Sequence, residues 1–272
     1  MTPRWSSALT GSEVFEADCR TVAPAFTGVA SLAILDGPYL LGVGKAAWDR
    51  APRGVTLGDV YREHLDDVGR VCGASASLYL WNTSAGWAEL HPLVLARGWA
   101  FRTLLVWDKV RSYAQVRYAS LTSYPDVAEV CGFYQRGEPV FNVGVAMSNV
   151  WRMGWQEWHD ERLQSGAMRH RVKMQAPRNE PLHDCQKPLL FSDTMIRASS
   201  RPGDTVWVPF GGTLRELVAA ERIARADPAE ARRVVTCEIN QDGRDYIGAA
   251  LEQVEGRAGV DRRQVGLFGG VG

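Results

Sequence analysis

The chain has 272 residues, 46% hydrophobic and 23% charged, enough to bury a large core in one domain with or without an insert, which excludes a disordered or fibrous protein. Lys plus Arg and Asp plus Glu both number 31, so the net charge is zero and any contact with a polyanion has to come from a local patch. No apolar run reaches the ~18 residues of a membrane span, residues 1–10 lack the apolar centre of a signal peptide, and Cys19, Cys72, Cys131, Cys185 and Cys237 lack metal or dithiol spacing, which predicts a cytoplasmic protein with reduced thiols and no metal.

In chain order, short runs rich in β-branched and aromatic residues predict strands at Val14 to Ala17, Ser31 to Leu35, Ser77 to Trp81, Thr103 to Trp107, Val130 to Tyr134, Thr205 to Val208 and Val234 to Cys237. Several are apolar on both faces, as in strands covered by helices on either side, so the fold class is α/β. One helix is predicted from about Pro188 to Ser199, with Pro188 suited to its first turn and Arg201-Pro202-Gly203-Asp204 closing it. A second carries Leu214, Leu217, Val218, Ala220 and Ile223 on one apolar face. Between Arg136 and Leu182 this rhythm breaks, which predicts an insert at 136–182 dividing a first catalytic half (1–135) from a second half (183–272) of the same domain.

Three segments carry candidate chemistry. Leu32 to Leu35 is an apolar strand that delivers Asp36-Gly37-Pro38-Tyr39 at its carboxyl end, the edge where open α/β sheets bind ligands. An exocyclic base amine is a poor nucleophile because its lone pair is delocalised into the ring. A site that methylates it has to accept its hydrogens and hold the extruded base flat. Asp36 and the Gly37 carbonyl suit the first task and the Tyr39 ring the second, although the same residues also make an ordinary Asp-Gly-Pro turn. Pro209-Phe210-Gly211-Gly212-Thr213 forms a Gly-rich turn into a helix, which lets backbone approach a ligand or simply turns the chain. Glu238 ends a strand about 25 residues further on, where an acid can accept hydrogen bonds from ribose hydroxyls. In the insert, Trp151, Trp155 and Trp158 are spaced for one helical face, either core or a stacking platform for bases. Arg152, Arg169, Arg171 and Lys173 beside them suit phosphates or guanine edges, or a solvated loop.

These segments, together with Leu78 to Asn82, Gly98-Trp99, Trp107-Asp108-Lys109 and Gln186-Lys187-Pro188, resemble the β-class amino methyltransferases of DNA, in which an acid-Pro-Pro-aromatic motif comes early and the cofactor motifs come late. The similarity covers most of residues 12 to 250. It implies a seven-stranded mixed sheet flanked by helices, S-adenosylmethionine as cofactor, and direct methyl transfer to a flipped base in double-stranded DNA. By the same resemblance Asp36, Gly37, Pro38 and Tyr39 form the target-amine site and Asp18 faces the cofactor's adenine. Glu238 holds the ribose, and Phe210, Gly212 and Thr213, with Lys187 nearby, surround the methionine part. The insert becomes the target-recognition region, with Trp151, Arg152, Arg169, Arg171 and Lys173 as DNA contacts. Asp at position 36 favours adenine N6 over cytosine N4, whose enzymes more often carry Ser there. A homodimer and a cognate restriction enzyme are implied as partners, and a catalytically silent DNA-binding subunit is the alternative. The chain departs from the family pattern at Gly37, where proline is usual, and in the Gly-rich turn, where Val208 replaces an acid and Leu214-Arg215 stand where a further glycine is expected.

Overall fold

Nine strands form one sheet in the computed structural model, which describes residues 1–41, 49–50, 53–109, 128–145, 148–152, 186–239 and 245–254. They are β1 (Trp5–Ser6), β2 (Glu13–Phe15), β3 (Ala30–Leu35), β4 (Cys72–Asn82), β5 (Ala100–Asp108), β6 (Ala128–Arg136), β7 (Val150–Arg152), β8 (Thr205–Val208) and β9 (Arg233–Cys237), in the spatial order β1-β2-β9-β8-β3-β4-β6-β5-β7. β2, β9, β8, β3 and β4 pair in parallel; β6 is antiparallel to both β4 and β5.

Seven of these strands coincide with the seven predicted runs. The expected seven-stranded sheet becomes nine-stranded because β1 and β7 add to its two edges. Each is too short for period-two alternation to mark it in the sequence. β7 also corrects the reading of Trp151: this residue lies on a strand paired with β5, not on a helical face, and the sheet extends into the start of the predicted insert. Most of that insert, including Trp155 and Trp158, lies outside the described residues.

Among the described residues, six helices pack on the sheet: α1 (Cys19–Val22), α2 (Leu57–Val71), α3 (Ser84–Leu95), α4 (Leu189–Ser199), α5 (Arg215–Ala226) and α6 (Tyr246–Val254). α4 and α5 fall within a residue of their predicted starts. α2 begins with a capping box: the Thr56 hydroxyl accepts from Asp59 N while the Asp59 carboxylate accepts from Thr56 N. Thr83 likewise caps α3. Alternation along the central strands divides the core in two. Leu32 and Ile34 face α4, α5 and α6, whereas Ala33 and Leu35 face α2 and α3. Among the described residues, no helix is long and apolar enough to cross a membrane.

This topology decides where chemistry collects. The carboxyl ends of β2, β3, β4, β8 and β9 share one edge of the sheet. Because β6 runs the other way, its first residues, Ala128 and Glu129, arrive at that edge beside Asp108 and Lys109 at the end of β5.

Candidate active site

At the end of β3 the chain turns through Asp36, Gly37, Pro38 and Tyr39 into Leu40, whose φ of 56° puts a leucine in the left-handed region. Asp49 holds that conformation by accepting a 2.7 Å hydrogen bond from Leu40 N. Lys187, just before α4, sends its Nζ to both oxygens of Asp36 at 2.8 Å, to Tyr39 Oη at 3.1 Å and to Glu129 Oε2 at 3.0 Å. Lys109 pairs with the other oxygen of Glu129. Tyr39 Oη lies 3.0 Å from Asp36 Oδ1 and 3.2 Å from Glu129 Oε2, and its single hydrogen goes to one of them.

Two cations and two carboxylates thus close a neutral network around the tyrosine. The Lys187 side chain is only 3% exposed, so its charge is sustained by these partners. Burial opposes ionisation of Glu129, yet the charges of Lys187 and Lys109 and their hydrogen bonds hold its carboxyl near pH 2. Burial likewise opposes the Lys187 ammonium, and Asp36 and Glu129 outweigh it and raise its pKa. Burial and the same two carboxylates push the Tyr39 phenol up, so it stays protonated. Lys187 was expected beside the methionine part of a cofactor; its ammonium instead belongs to the Asp36 end.

Gly37 answers to close packing. A Cβ there would fall 2.6 Å from Tyr61 Oη and 2.8 Å from the Phe210 ring, so neither alanine nor proline fits without movement. The stiffness that proline supplies in the family pattern comes here from the α2 tyrosine and the Phe210 ring pressed against the backbone.

On the other side, β8 runs into the Gly-rich turn and α5. Gly211 N donates to Cys237 O at 2.7 Å, tying the turn to β9, and Gly212 N donates to Glu238 Oε2 at 2.6 Å. Leu214, standing in place of the family's glycine, keeps a left-handed backbone with φ 54°. That conformation costs a non-glycine residue about 1–2 kcal/mol. It is offset by burial, since Leu214 is only 1% exposed in the core beneath α5. Val208, in place of the family's acid, also points into that core.

A cavity of about 710 Å³ joins the two sides, within the range of ligand pockets. Asp36, Gly37, Pro38, Tyr39, Lys187, Phe210, Gly212, Thr213, Glu238 and Asp18 all line it. Asp18 caps α1 through Arg20 N at 2.9 Å and pairs with the Arg20 guanidinium at 2.6 Å, which lowers its pKa against the opposing effect of burial. The expected DNA contacts divide. Trp151 is 5% exposed and packs on Phe191 at 4.6 Å between ring centroids, so it is a core residue with no face for a base. Arg152 is exposed and pairs with Asp108 at 3.4 Å. Arg169, Arg171 and Lys173 lie outside the described residues.

Sequence reasoning missed Glu129 and His64 and could not place Arg215 and Glu216 at the Gly-rich turn; all four line the cavity. Glu129 is the second residue of β6, ahead of the apolar run Val130 to Tyr134, and its only sequence signal is an acid at that position. His64 packs edge-on against Phe210 at 4.7 Å, and burial lowers its pKa. Among the described residues, no three His, Cys, Asp or Glu side chains gather to hold a metal ion.

Comparison with known proteins gives a family match over residues 30–249, to the N6/N4 family described as DNA methylase. The Type II methyltransferase M1.MboII of Moraxella bovis is 23% identical over 248 residues, spanning 82% of this chain and 90% of that protein. Among solved structures, the cytosine-N4-specific PvuII DNA methyltransferase superposes with a TM-score of 0.67 at 12% identity, over 97% of this chain and 92% of that one. The M1.HpyAVI–SAM complex gives 0.58 at 12% identity, over 89% and 98%. These two likenesses concern the fold.

Proposed function

Because the chain belongs to the N6/N4 DNA methylase family, we propose that it transfers the methyl group of S-adenosylmethionine to an exocyclic base amine in double-stranded DNA, with adenine N6 as the target. One observation carries this reading: Asp36 to Tyr39 and the Gly212–Glu238 pair open onto the same cavity. Glu238, fixed by Gly212 N, suits the ribose hydroxyls. The left-handed Gly212 has nothing within 4 Å of where a Cβ would stand, so backbone can approach the methionine part together with Phe210 and Thr213. Asp18 faces the adenine. When bound, the cofactor supplies an electrophilic methyl on a sulfonium.

The chain's own residues do the rest. Asp36 accepts a hydrogen of the target amine and the Gly37 carbonyl accepts the other, which turns the nitrogen lone pair out of the ring plane. Pro38 sets the turn, and the Tyr39 ring holds the flipped base flat while its hydroxyl stays locked to the carboxylates. Lys187 fixes Asp36 in direction through hydrogen bonds to both of its oxygens. The nitrogen gains a methyl and releases one proton, for which Asp36 is the adjacent carboxylate. Burial pushes the Cys19 thiol up to about 12 and raises that of Cys237, so both cavity cysteines are neutral thiols at pH 7 and direct transfer needs neither. Arg152, with Arg169, Arg171 and Lys173 of the segment 136–182, contacts the DNA, and a homodimer and a cognate restriction enzyme are the partners this reading implies.

Labelled-methyl transfer to mixed-sequence duplex DNA, followed by digestion to nucleosides, tests the proposal. Label on N6-methyladenine is expected, and label on N4-methylcytosine would move the target to cytosine. A chain that binds the cofactor and labels no base would overturn transfer and favour a DNA-binding subunit, the reading to which Val208 and Leu214 lend support.

A further inference from the structure

Glu129 and Lys109 are the members of the charged network that the transfer steps leave without a task. Asp36 accepts from the amine, Lys187 directs Asp36 and Tyr39 covers the base. Glu129 is nonetheless firmly held. It is 8% exposed, Lys109 takes one of its oxygens, and Lys187 reaches the other at 3.0 Å. Lys109 is itself steadied over the Trp107 ring, 4.6 Å from its centroid. The backbone is anchored too: Glu129 pairs with Trp107 on β5, and the next residue, Val130, pairs with Asn82 on β4.

Tyr39, by contrast, stands on a turn beyond the end of β3, and its hydroxyl meets three groups: Asp36 Oδ1 at 3.0 Å, Glu129 Oε2 at 3.2 Å and Lys187 Nζ at 3.1 Å. An ammonium only donates, so the hydroxyl oxygen accepts from Lys187 and the hydroxyl hydrogen goes to a carboxylate. Asp36 is the nearer, but it lies three residues from Tyr39 on the same turn, so a bond between them fixes neither against the rest of the fold. Asp36 also has to answer the target amine. Glu129 has no such duty and belongs to the sheet. We propose that Glu129 is a positioning residue for methyl transfer: it takes the Tyr39 hydrogen while Asp36 holds the amine, and so fixes the ring against which the extruded base lies. The inference rests on the reading of Asp36 to Tyr39 as the target-amine site. Lys109, by pinning the other oxygen, sets the direction of Glu129 Oε2. A ring carried on its turn at one end and tied to the sheet at the other imposes its plane on the base, and a base displaced by about 1 Å carries its amine out of line with the methyl donor.

A double-mutant cycle in single-turnover methyl transfer, at saturating duplex DNA and S-adenosylmethionine, separates this role from a structural one. Glu129→Gln keeps the shape and loses the charge that Lys109 pins; it is expected to slow transfer about tenfold, and Glu129→Ala about a hundredfold. The glutamine variant carries the test should the alanine variant not fold. Tyr39→Phe keeps the ring and removes the hydroxyl through which Glu129 acts, so Tyr39→Phe combined with Glu129→Gln should be no slower than the slower of the two single variants. S-adenosylmethionine affinity should stay within about threefold throughout, since neither residue aims at the cofactor. A duplex with 2-aminopurine at the target position gives a second readout, because this base has no amine at the reacting position and its fluorescence reports stacking alone. It should be dimmer on the wild-type chain, where the ring covers it, than on Glu129→Gln. Wild-type rates in both Glu129 variants, or losses that multiply in the double variant, would overturn the role, the second result by making Glu129 a support of the fold alone. A wild-type chain that binds duplex and S-adenosylmethionine and transfers no methyl would overturn the target-amine reading and this inference with it.

Discussion

The two ends of the cavity are built on different principles. At the Asp36 end, side chains from four segments, Asp36 and Tyr39 after β3, Lys109 after β5, Glu129 in β6 and Lys187 before α4, hold one another through charge and hydrogen bonds. At the Glu238 end, the holding is done by backbone: Gly211 N to Cys237 O, Gly212 N to Glu238 Oε2, and a leucine kept left-handed by burial. A charged network is rigid and expensive to damage, as suits groups that have to aim a hydrogen-bond acceptor at a reacting nitrogen. A backbone cradle tolerates changes of side chain, which is why the turn survives Val208 and Leu214.

That contrast fixes how each end should fail. The largest effect belongs to Asp36→Asn: methyl transfer in a single turnover should fall about a thousandfold or more, while S-adenosylmethionine affinity stays within about threefold, because the group acts on the target and not on the cofactor. Turnover near the wild-type rate would remove Asp36 from the chemistry. Lys187→Met comes next and should show in stability. It strips Asp36 and Glu129 of a shared cation and should cost about 3–5 kcal/mol in denaturant unfolding, with Lys187→Arg recovering part of it. Glu238→Ala should spare stability and weaken S-adenosylmethionine by about tenfold to a hundredfold, with transfer at saturating cofactor little changed.

The smallest effect is a pH dependence confined to the charged end. Glu129 has its carboxyl held near 2 against an ordinary 4.5, so the stability it contributes is fully present above about pH 4.5 and is lost as pH falls toward 2. The unfolding free-energy difference between the wild-type chain and Glu129→Gln should therefore be constant from about pH 6 to 8 and shrink on acidification below about 4.5. A difference that grew on acidification would mean that Glu129 is not held ionised by its lysines.

The same contrast explains what could be read from the sequence. The turn end is local: strand, glycines, helix and the acid ending the next strand follow one another along the chain, and each stands where the pattern puts it. The central strands were legible because both faces are apolar, and α4 and α5 because their starts carry Pro188 and a clear amphipathic stripe. The charged end is not local. Lys187 meets Asp36 across 151 residues of sequence, and Glu129 reaches it only because β6 runs against β4. No spacing rule links an acid on one strand to a lysine before a distant helix, which is why Lys187 was expected at the other end. Trp151 misled in a different way: its spacing to Trp155 and Trp158 fits a helix, but its pairing with Trp107 across β5 and β7 and its packing on Phe191 decide its conformation. Leu214 shows tertiary packing overriding local preference, since burial holds a leucine where glycine would be the easier choice.

Both ends serve one reaction only if the cofactor enters at the Glu238 end. Calorimetric titration of the wild-type chain with S-adenosylmethionine tests this most directly. One molecule bound per chain, weakened by Glu238→Ala and indifferent to Asp36→Asn, is the predicted result. No heat of binding at millimolar S-adenosylmethionine would contradict it and would leave the charged network at Asp36 without a methyl donor to serve.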